Sequence, residues 1–480
     1  MEFDVVIGLE VHCQLNTQSK IFAADANSFG GEANTHISLI TLAHPGVLPK
    51  LNKAAIRSAV KLGLAFDCEI NQHNYFDRKN YFYPDLPKGY QVSQDKSPIC
   101  NAGVVKFKIK NGKSYSEHAV HIHHIHMEED AGKSIHDLDP NLTYLDYNRA
   151  GTPLLEIVSE PCIGSPIEAA GYLTEIRKIV RYLGISDGNM DEGSLRADLN
   201  ISLKPKGSAV LGTKVEIKNM NSIKFLQKAA EYEIERQKAV LQAGGTLIQE
   251  TRSFDPETGK TSSMRVKETM NDYRYFPEPD LAPILISNED LAKFKAEMPK
   301  LPLEVFTDLV TKYDLTEEQA YTISEEASWS GYFYACALTC KHYKNIANWL
   351  LSNIKGYLNE HNIELDAFAL KPVQIAEIIN LVAEGQISNT AAQKLMNLLM
   401  AAPESNVLAL ATSNGLIQTK DSSELGQWID EVLESQAAKV DEYKKGKKGL
   451  LGMFVGEVMK KSKGSADPKI VNEMILEKLK

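Results

Sequence analysis

Residues 118–133 concentrate side chains that can do chemistry, because this segment holds five histidines, three consecutive carboxylates and a lysine. If the segment is a strand, side chains two residues apart share a face, so His124, His126 and Glu128 line up together. Three adjacent acids repel one another, so a folded site that packs them together favours a nearby cation. The segment predicts either a metal site or, equally well, a half-exposed acidic turn after a polar strand.

The donor types indicate which ion such a site would prefer. Carboxylates with a minority of imidazoles favour Mg²⁺ or Mn²⁺, and Zn²⁺ is disfavoured because no pair of thiolates accompanies them. In a regular strand Glu129 faces away from Glu128, unless the strand bends before Gly132. Strand alternation therefore favours Glu128 as the ligand of the two.

A second polar group lies near the start of the chain. Apolar residues alternate from Phe3 to Val11, which leaves Glu10, His12 and Gln14 on the opposite face of a predicted strand. The polar face of such a strand most often meets only water. The acids at 128–130 favour a site here instead, because two half-sites of matching chemistry can complete one metal shell.

The clearest alternation in the sequence is at residues 194–203. One face of this predicted strand is apolar throughout, and the other presents Arg196, Asp198 and Asn200. A strand face that only meets solvent would more often carry Thr, Lys and Glu. Asp198 is therefore a candidate metal ligand, and Arg196 a candidate phosphate contact.

Residues 76–94 mix five aromatic rings with Arg78, Lys79 and Lys88, and Pro84 and Pro87 keep the segment from forming a helix. Rings interleaved with cations can stack on an adenine or on an unpaired RNA base. They can equally form a rigid packed loop. Both interpretations stay open from the sequence.

The whole chain has the composition of an ordinary globular protein, with 43% hydrophobic and 24% charged residues among 480. This length predicts roughly three domains. No apolar stretch is long enough to cross a bilayer and the start is not a basic leader, so we expect a cytoplasmic protein. Six scattered cysteines suit a reducing compartment, and the net charge of −10 argues against indiscriminate coating of nucleic acid.

Strand-like periodicity dominates the first part of the sequence and helix-like periodicity the rest, which predicts an α+β protein with three parts. Residues 1–292 should form a cradle of mixed, mostly antiparallel strands, 293–405 an all-helical domain, and 406–480 a small helical tail. Within the cradle, residues 42–53 read as strand, turn and helix start. The last 42 residues carry 11 lysines against six acids, which could clamp phosphates or merely provide solubility.

Several common catalytic motifs are absent from the sequence. Gly132, Lys133 and Ser134 look like the end of a phosphate loop, but Met127 stands where that loop requires glycine. No Gly-x-Ser-x-Gly elbow occurs, and no cysteine sits in a recognisable nucleophile setting. If ATP binds, a metal ion and arginine must hold its phosphates.

Six long motifs stand out along the chain, at 6–22, 44–51, 76–94, 145–161, 192–203 and 272–280. These motifs resemble those of the B subunits of the glutamyl-tRNA(Gln)/aspartyl-tRNA(Asn) amidotransferase family. The resemblance covers essentially the whole chain, and the motifs keep the family's order. The tail at 444–479 is similar to the YqeY-type domain of that family.

The resemblance implies ATP-dependent phosphorylation of the side-chain carboxylate of Glu-tRNA(Gln) or Asp-tRNA(Asn), followed by amidation. It implies Mg²⁺ as the cofactor, with Mn²⁺ as an alternative. The partners would be an amidase (glutaminase) A subunit that supplies ammonia and a small C subunit that ties the two together. The tail would contact the tRNA. A second hypothesis is a tRNA-binding scaffold protein of the same complex that has lost the chemistry.

The resemblance also implies roles for individual residues. Glu128 adjoins the family's divalent-ion positions, and the family pattern favours Glu129 over Glu128 as the direct ligand, which a bend before Gly132 would explain. Arg196 and Lys133 are expected to contact ATP phosphates. The sequence departs from the family at His124, where an arginine is common, and this places a titratable group there. The residues that match the family's divalent-ion positions are Glu10, His12, Glu129 and Asp198.

Overall fold

The computed structural model describes residues 2–266, 272–418, 422–462 and 466–479. The chain separates into two compact units, Met1–Glu304 and Val305–Lys480. All strands of the described residues lie in the first unit, whereas the second is helical. The α+β class predicted from the sequence is therefore confirmed. No helix among the described residues is both long and apolar enough to span a membrane.

The first unit is built on a ten-stranded mixed sheet. Its order is β15-β14-β13-β12-β1-β11-β8-β6-β2, and β7 pairs with β8 off this path. Only β13 and β14 are parallel among the pairs of this sheet in the described residues. Its strands are β1 Phe3–Gln14, β2 Glu69–Ile70, β6 Cys100–Asn101, β7 Val104–Asn111, β8 Ser114–Glu129, β11 Pro153–Ser159, β12 Leu195–Pro205, β13 Val215–Lys218, β14 Glu250–Asp255 and β15 Lys260–Val266.

Three small sheets complete the strands of this unit. The antiparallel pair β9–β10 forms a hairpin, β16 and β5 flank β4, and β17 pairs with β3. Their bounds are β3 His73–Asn74, β4 Asp77–Asn80, β5 Tyr90–Ser93, β9 Lys133–Ile135, β10 Tyr144–Asp146, β16 Phe276–Pro277 and β17 Ile284–Leu285.

The helices of the first unit are α1 Lys53–Ala65, α2 Pro166–Tyr182, α3 Ile223–Gln242 and α4 Asn288–Ala296. α2 and α3 begin at serine caps, Ser165 and Ser222, whose hydroxyls each accept a backbone N–H three residues ahead. Both helices pack on the apolar face of the large sheet, and this leaves the opposite face polar. The expected strand within 42–53 is wrong, because turns occupy 39–46 and α1 begins at Lys53.

Twelve α-helices lie wholly or mostly within the second unit in its described residues. They are accompanied by a π-helical turn at Trp349–Ile354 and by short 3-10 helices at Leu365–Ala367 and Lys448–Leu450. The helices after residue 421 enclose a hydrophobic cluster that includes Leu425, Phe454 and Ile475. A separate tail domain beginning at 406 stays a prediction. The helices are α5 Pro302–Thr311, α6 Glu317–Ile323, α7 Ala327–Ala337, α8 Tyr343–Asn348, α9 Lys355–His361, α10 Pro372–Ala383, α11 Asn389–Ala401, α12 Val407–Ser413, α13 Ser422–Ser435, α14 Ala437–Lys444, α15 Leu451–Lys461 and α16 Pro468–Lys478.

Candidate active site

The polar face of the large sheet gathers side chains from distant parts of the chain. Glu10 in β1 lies opposite Asp198 in β12. His12 lies between Glu156 in β11 and Arg196 in β12. Because directly opposed residues in antiparallel strands point to the same face, these five side chains project together. The register of β1 thus brings both predicted half-sites onto one surface.

A first triad forms at the centre of this face. His12, Glu128 and Glu156 each offer one ligand atom, and these atoms lie within 4.8 Å of one another. Nε2 of His12 is 3.5 Å from Oε2 of Glu156 and 3.8 Å from Oε1 of Glu128. Nε2 of His126 reaches the same two carboxylates, at 3.0 Å from Glu156 and 3.6 Å from Glu128. Two imidazoles and two carboxylates therefore share one small volume.

The charges of this triad shift the pKa values of its members. Burial lowers the pKa of His126, but its hydrogen bonds to Glu128 and Glu156 outweigh that effect and raise the pKa to about 10. Burial also lowers the pKa of His12, but the hydrogen bond and the charge of Glu156 outweigh this effect. The pKa of His12 is therefore raised above its ordinary value. Burial would raise the pKa of Glu156, but the two histidines hold it well below the usual range. The raised pKa values favour the positively charged form of both histidines beside the acids.

A second triad lies beside the first. One ligand atom each from Glu10, Asp198 and Glu216 falls within 4.8 Å. The Lys218 ammonium contacts Asp198 and lies 3.2 Å from Oε1 of Glu216. Nδ2 of Asn200 donates to Oε1 of Glu10 over 2.9 Å. Burial, followed by the charge of Glu156, raises the pKa of Glu10.

The donor set of this face suits a hard divalent ion. The two triads supply five carboxylates and one imidazole, which matches the preference of Mg²⁺ and Mn²⁺ for oxygen. Oδ1 of Asn200 is buried and has no hydrogen-bond partner, so an amide oxygen beside Glu10 is also available as a ligand. A buried acceptor without a donor is costly unless another group satisfies it. These residues fit a divalent ion.

Glu129 does not join either triad. β8 runs without a bend through Glu129, so its side chain lies on the face opposite that of Glu128. There the carboxylate contacts the Lys88 ammonium and accepts the backbone N–H of Val92 at 2.9 Å. The sequence left open a bend before Gly132 that would turn Glu129 toward Glu128. β8 has no such bend up to its end at Glu129. Glu129 as a metal ligand stays a prediction, and the geometry favours Glu128.

Arg196 is held by Asp130, which belongs to the predicted acidic run at 128–130 but had no individual role assigned to it. Nη2 of Arg196 donates to Oδ2 of Asp130 at 2.6 Å, and Nε2 of Gln14 donates to the same oxygen at 2.7 Å. Nε of Arg196 is buried without a hydrogen-bond partner. Such a donor is available to an anion, which agrees with the predicted phosphate contact. Asp130 could have been found as the third member of the acidic run.

Lys133 lies at a cavity of about 620 Å³ next to this face. Gln14 lines the same cavity and also bonds Asp130, so the cavity and the Arg196–Asp130 pair share a wall. The other lining residues include Arg149, Asn16, Asn27, Ser28, Asn148, Asp187 and Ser194. Most of the lining side chains are polar, and the four acids Asp146, Asp187, Asp191 and Glu192 accompany the two cations Lys133 and Arg149.

The histidines of β8 form a row of contacting rings. Nδ1 of His123 lies 2.6 Å from Nδ1 of His124, and Nε2 of His124 lies 3.1 Å from Nδ1 of His126. Burial and the neighbouring histidines lower the pKa of His124 to about 4. His124 is therefore neutral at neutral pH, and it does not replace the charge of the arginine that is common at this position.

Glu156 and Glu216 were also missed as site residues. Each is a single acid that alternates with apolar neighbours in a short strand, and such a pattern is a weak signal by itself. Their roles depend on the pairing of β11 with β1 and of β13 with β12. The sequence does not display these pairings locally.

Comparisons with known proteins agree with this architecture. A family model described as the GatB/GatE catalytic domain matches residues 5–292, and one described as the GatB domain matches 331–479. The B subunit of aspartyl/glutamyl-tRNA(Asn/Gln) amidotransferase from Persephonella marina is 45% identical, over 100% of both chains. The protein of the same name from Gloeothece citriformis is 46% identical, over 100% of this chain and 98% of its own. The chain therefore belongs to the family of aspartyl/glutamyl-tRNA(Asn/Gln) amidotransferase B subunits.

Proposed function

We propose that this chain is the amidating subunit of a tRNA-dependent amidotransferase, a carbon–nitrogen ligase that uses glutamine as amide donor. The proposed substrates are the mischarged forms of the tRNAs in the relatives' names, Glu-tRNA(Gln) and Asp-tRNA(Asn). The side-chain carboxylate attacks the γ-phosphorus of ATP, and ADP leaves. Ammonia then attacks the acyl carbon, phosphate leaves, and the nitrogen gives up a proton to form the amide.

The observation that carries this proposal is the convergence of the two triads on one polar sheet face. Five acids and His12 come together from five strands, Glu128 buried and the others half-buried, and holding so many like charges close together is costly without a chemical use. We propose that His12, Glu128, Glu10 and Asp198 hold Mg²⁺ or Mn²⁺, with oxygens of Glu156 and Glu216 within reach. When bound, such an ion neutralises phosphate charge and orients phosphoryl transfer.

The other residues of the face then have defined tasks. Arg196 directs its free Nε–H at a phosphate oxygen, and Asp130 fixes the guanidinium by accepting from Nη2. Lys133, at the adjoining cavity, supplies a second positive charge for the nucleotide. Lys218 offsets the charge of the acids so that an anionic phosphate can approach them.

Two further proteins and the tRNA complete the proposed complex. No nucleophile motif of an amidase occurs in the sequence, so a glutaminase A subunit has to supply ammonia, and a small C subunit joins the two. The lysine-rich tail contacts the tRNA body through charge and shape. The cytoplasmic location expected from the sequence stays a prediction.

A scaffold that only binds tRNA is the competing hypothesis. The test is amidation by the reconstituted complex with ammonium chloride, mischarged tRNA and labelled ATP, with Mg²⁺ or with a chelator. We expect ADP release that depends on mischarged tRNA and Mg²⁺, and its loss in Glu128→Gln. If the rate of ADP release does not change in Glu128→Gln or on removal of Mg²⁺, the result would favour the scaffold hypothesis.

A further inference from the structure

Lysines follow one another along one face of the β7–β8 hairpin, outside the site described above. Residues 104–123 contain four lysines and a single acid, Glu117, although acids outnumber Lys and Arg by 63 to 53 in the whole chain. The three lysines of β7 occupy alternate positions, so their side chains share one face of the strand. This lysine face consists of Lys106, Lys108, Lys110 and, in the turn, Lys113.

The other face of the hairpin is covered by α2. Val105, Phe107 and Ile109 alternate with the lysines of β7 and are buried. α2 approaches them so closely that a methyl group added at Gly171 would lie 2.8 Å from a carbon of the Phe107 ring. The lysine face therefore points outward, and its members are exposed except Lys108, which is half-buried.

Two exposed acids contact the lysine face. Nζ of Lys108 is 3.1 Å from Oε2 of Glu117, and Nζ of Lys106 is 3.9 Å from Oδ2 of Asp67. The side chains of these acids are 58% and 74% exposed, and exposed ion pairs are weak. A phosphate can therefore replace either acid at little cost. Lysines that serve only solubility are usually interspersed with acids, unlike those of this hairpin.

β8 connects the lysine face with the first triad. Lys106 lies opposite Ala119 in β8, so both point to the same side. The pairing of β8 with β11 passes over His123, which shifts the alternation of β8 by one residue. Buried apolar residues accordingly fall at even positions before His123 and at odd positions after it. The side of Ala119 thus continues through His124 to Glu128, over nine residues or at most about 30 Å.

We propose that the lysine face binds phosphates in the acceptor stem of the substrate tRNA. This inference rests on the proposed function, which requires the aminoacyl end of the tRNA to reach the triads. The acceptor stem directly follows that single-stranded end, so a stem that extends from the first triad along β8 meets the lysine face. Ammonium groups attract phosphates without reading the sequence, and RNA duplexes are recognised mostly by shape and backbone contacts.

Charge complementarity favours this occupant. The acids of the two triads repel the phosphates of an approaching tRNA, whereas the lysine face on the same side of β8 attracts them. A polyanion that is held by the lysine face can therefore bring a neutral sugar and an aminoacyl group to the acidic site.

The test measures binding of uncharged tRNA to the reconstituted complex, so that catalysis is not needed. Lys106→Gln/Lys110→Gln removes two charges, Lys106→Arg/Lys110→Arg keeps them, and Lys106→Glu/Lys110→Glu reverses them. The matched control is Lys224→Gln/Lys228→Gln, because these two lysines of α3 are exposed and have the same spacing. Filter binding gives the Kd at several salt concentrations, for intact tRNA and for a minihelix of its acceptor and T arms.

We expect the double Gln variant to raise the Kd of both RNAs at least about tenfold at about 50 mM salt, because phosphate contacts are lost. The slope of log Kd against log salt concentration should fall by about 1 to 2. The double Glu variant should bind more weakly still. The double Arg variant and the α3 control should bind both RNAs as wild type does.

The double Glu variant also tests a purely structural role, because lysines on an edge strand such as β7 can serve only to prevent pairing with other chains. Glutamate keeps that edge charged, so equal tRNA binding by this variant and wild type would overturn the proposal. Weaker binding of intact tRNA with unchanged binding of the minihelix would overturn the assignment to the acceptor stem.

Two further outcomes have separate meanings. If the variants bind both RNAs normally but lose a partner subunit in size-exclusion chromatography, the lysine face holds an acidic protein surface and the proposal is wrong. A wild-type complex that binds tRNA but does not amidate would reject the proposed function, whereas the comparison of tRNA binding would still decide the role of the lysine face.

Discussion

Glu128 and Glu129 are neighbours in sequence, but the structure gives them opposite surroundings. Glu128 lies in a triad with His12, whereas Glu129 contacts Lys88 on the other face of β8. We therefore expect Glu128→Gln to weaken Mg²⁺ binding by about 100-fold, as loss of a charged ligand does, and Glu129→Gln to change it by less than about threefold. Isothermal titration of the metal-free complex with Mg²⁺ measures both constants.

A larger loss of Mg²⁺ binding in Glu129→Gln than in Glu128→Gln would support the family pattern, which favours Glu129 as the ligand. If Glu129→Gln alone removes Mg²⁺ binding, β8 must rearrange in the complex so that Glu129 reaches His12. Glu235→Gln is a suitable control, because Glu235 is an exposed acid on α3 that pairs only with Lys238 among the described contacts of its carboxylate.

Strand alternation predicted much of the site at residue level. The period of two places Glu10, His12 and Glu128 correctly on polar faces, because one face of each strand has to be buried. The same rule excludes Glu129 from that face. Glu156 was not predicted as a site residue, since its significance comes from His12, more than a hundred positions away along the chain. Asp130 was predicted only as a member of the acidic run, without its partner Arg196.

At the scale of elements, a buried lysine ties together the loops beside the site. Lys20 is fully buried, and its Nζ donates to the backbone carbonyl oxygens of His36 at 2.7 Å and Tyr147 at 3.4 Å. Burial lowers its pKa to about 8, although the charge of Asp25 partly opposes this. The pKa of a lysine in an unfolded chain is about 10.4. Between about pH 8 and that value, the unfolded chain therefore holds a proton on Lys20 that the folded chain has released.

Stability should therefore rise with pH across that window. The unfolding free energy of wild type should increase by about 3 kcal/mol relative to Lys20→Met between pH 7.5 and 10.5. Urea unfolding of both proteins at matched pH values measures this difference. A difference that stays constant with pH would show that Lys20 titrates as an ordinary exposed lysine.

A second buried charge connects α3 with the β14–β15 hairpin. The Glu233 side chain is fully buried, with Arg236 at 2.7 Å and Arg252 at 3.6 Å, and it accepts from Thr261 at 3.1 Å. Glu233→Ala should lower the unfolding free energy by about 3 kcal/mol, because Arg236 and Arg252 then share Glu250 alone among the described acids and the buried Gln237 loses its carboxylate acceptor. The exposed Glu235→Ala should stay within about 0.5 kcal/mol. Equal effects in urea unfolding would contradict this role.

The elements themselves were predicted well where local signals were strong. The strand β12 follows from the alternation of apolar and polar residues at 194–203. The expected strand before α1 failed because Gly46 has a φ of 87° and Ala43 one of 55°. Such left-handed positions produce turns and interrupt a ladder. The chain order also does not reveal the parallel pairing of β13 with β14.

At the scale of the whole molecule, the tail at 406–480 is expected to bind tRNA. The complex lacking residues 406–480 should bind tRNA at least about tenfold more weakly at low salt, because several lysine–phosphate contacts are lost. Glutamine hydrolysis by the partner should persist. Filter binding at two salt concentrations measures the loss and its salt dependence. Normal tRNA binding by the truncated complex would refute the role of the tail.

The change from strands to helices near residue 290 is visible in the sequence, whereas the three predicted domains, 1–292, 293–405 and 406–480, stay a prediction beside the two compact units of the structure. The sequence predicted that two polar half-sites meet, but not which strands bring their side chains onto one face. This convergence depends on β1 lying between β11 and β12, and this order cannot be read from periodicity. Long-range pairing is the part of a fold that local patterns leave undetermined.

Binding of a divalent ion by the polar face of the large sheet is the property on which the proposed chemistry depends. Crystals of the complex soaked with Mn²⁺ test this binding directly through anomalous difference density. We expect a peak at bonding distance from His12 and Glu128, and its loss in Glu128→Gln. A peak on the Lys88 side of β8, or no peak on the sheet face while ATP-dependent amidation proceeds, would contradict it.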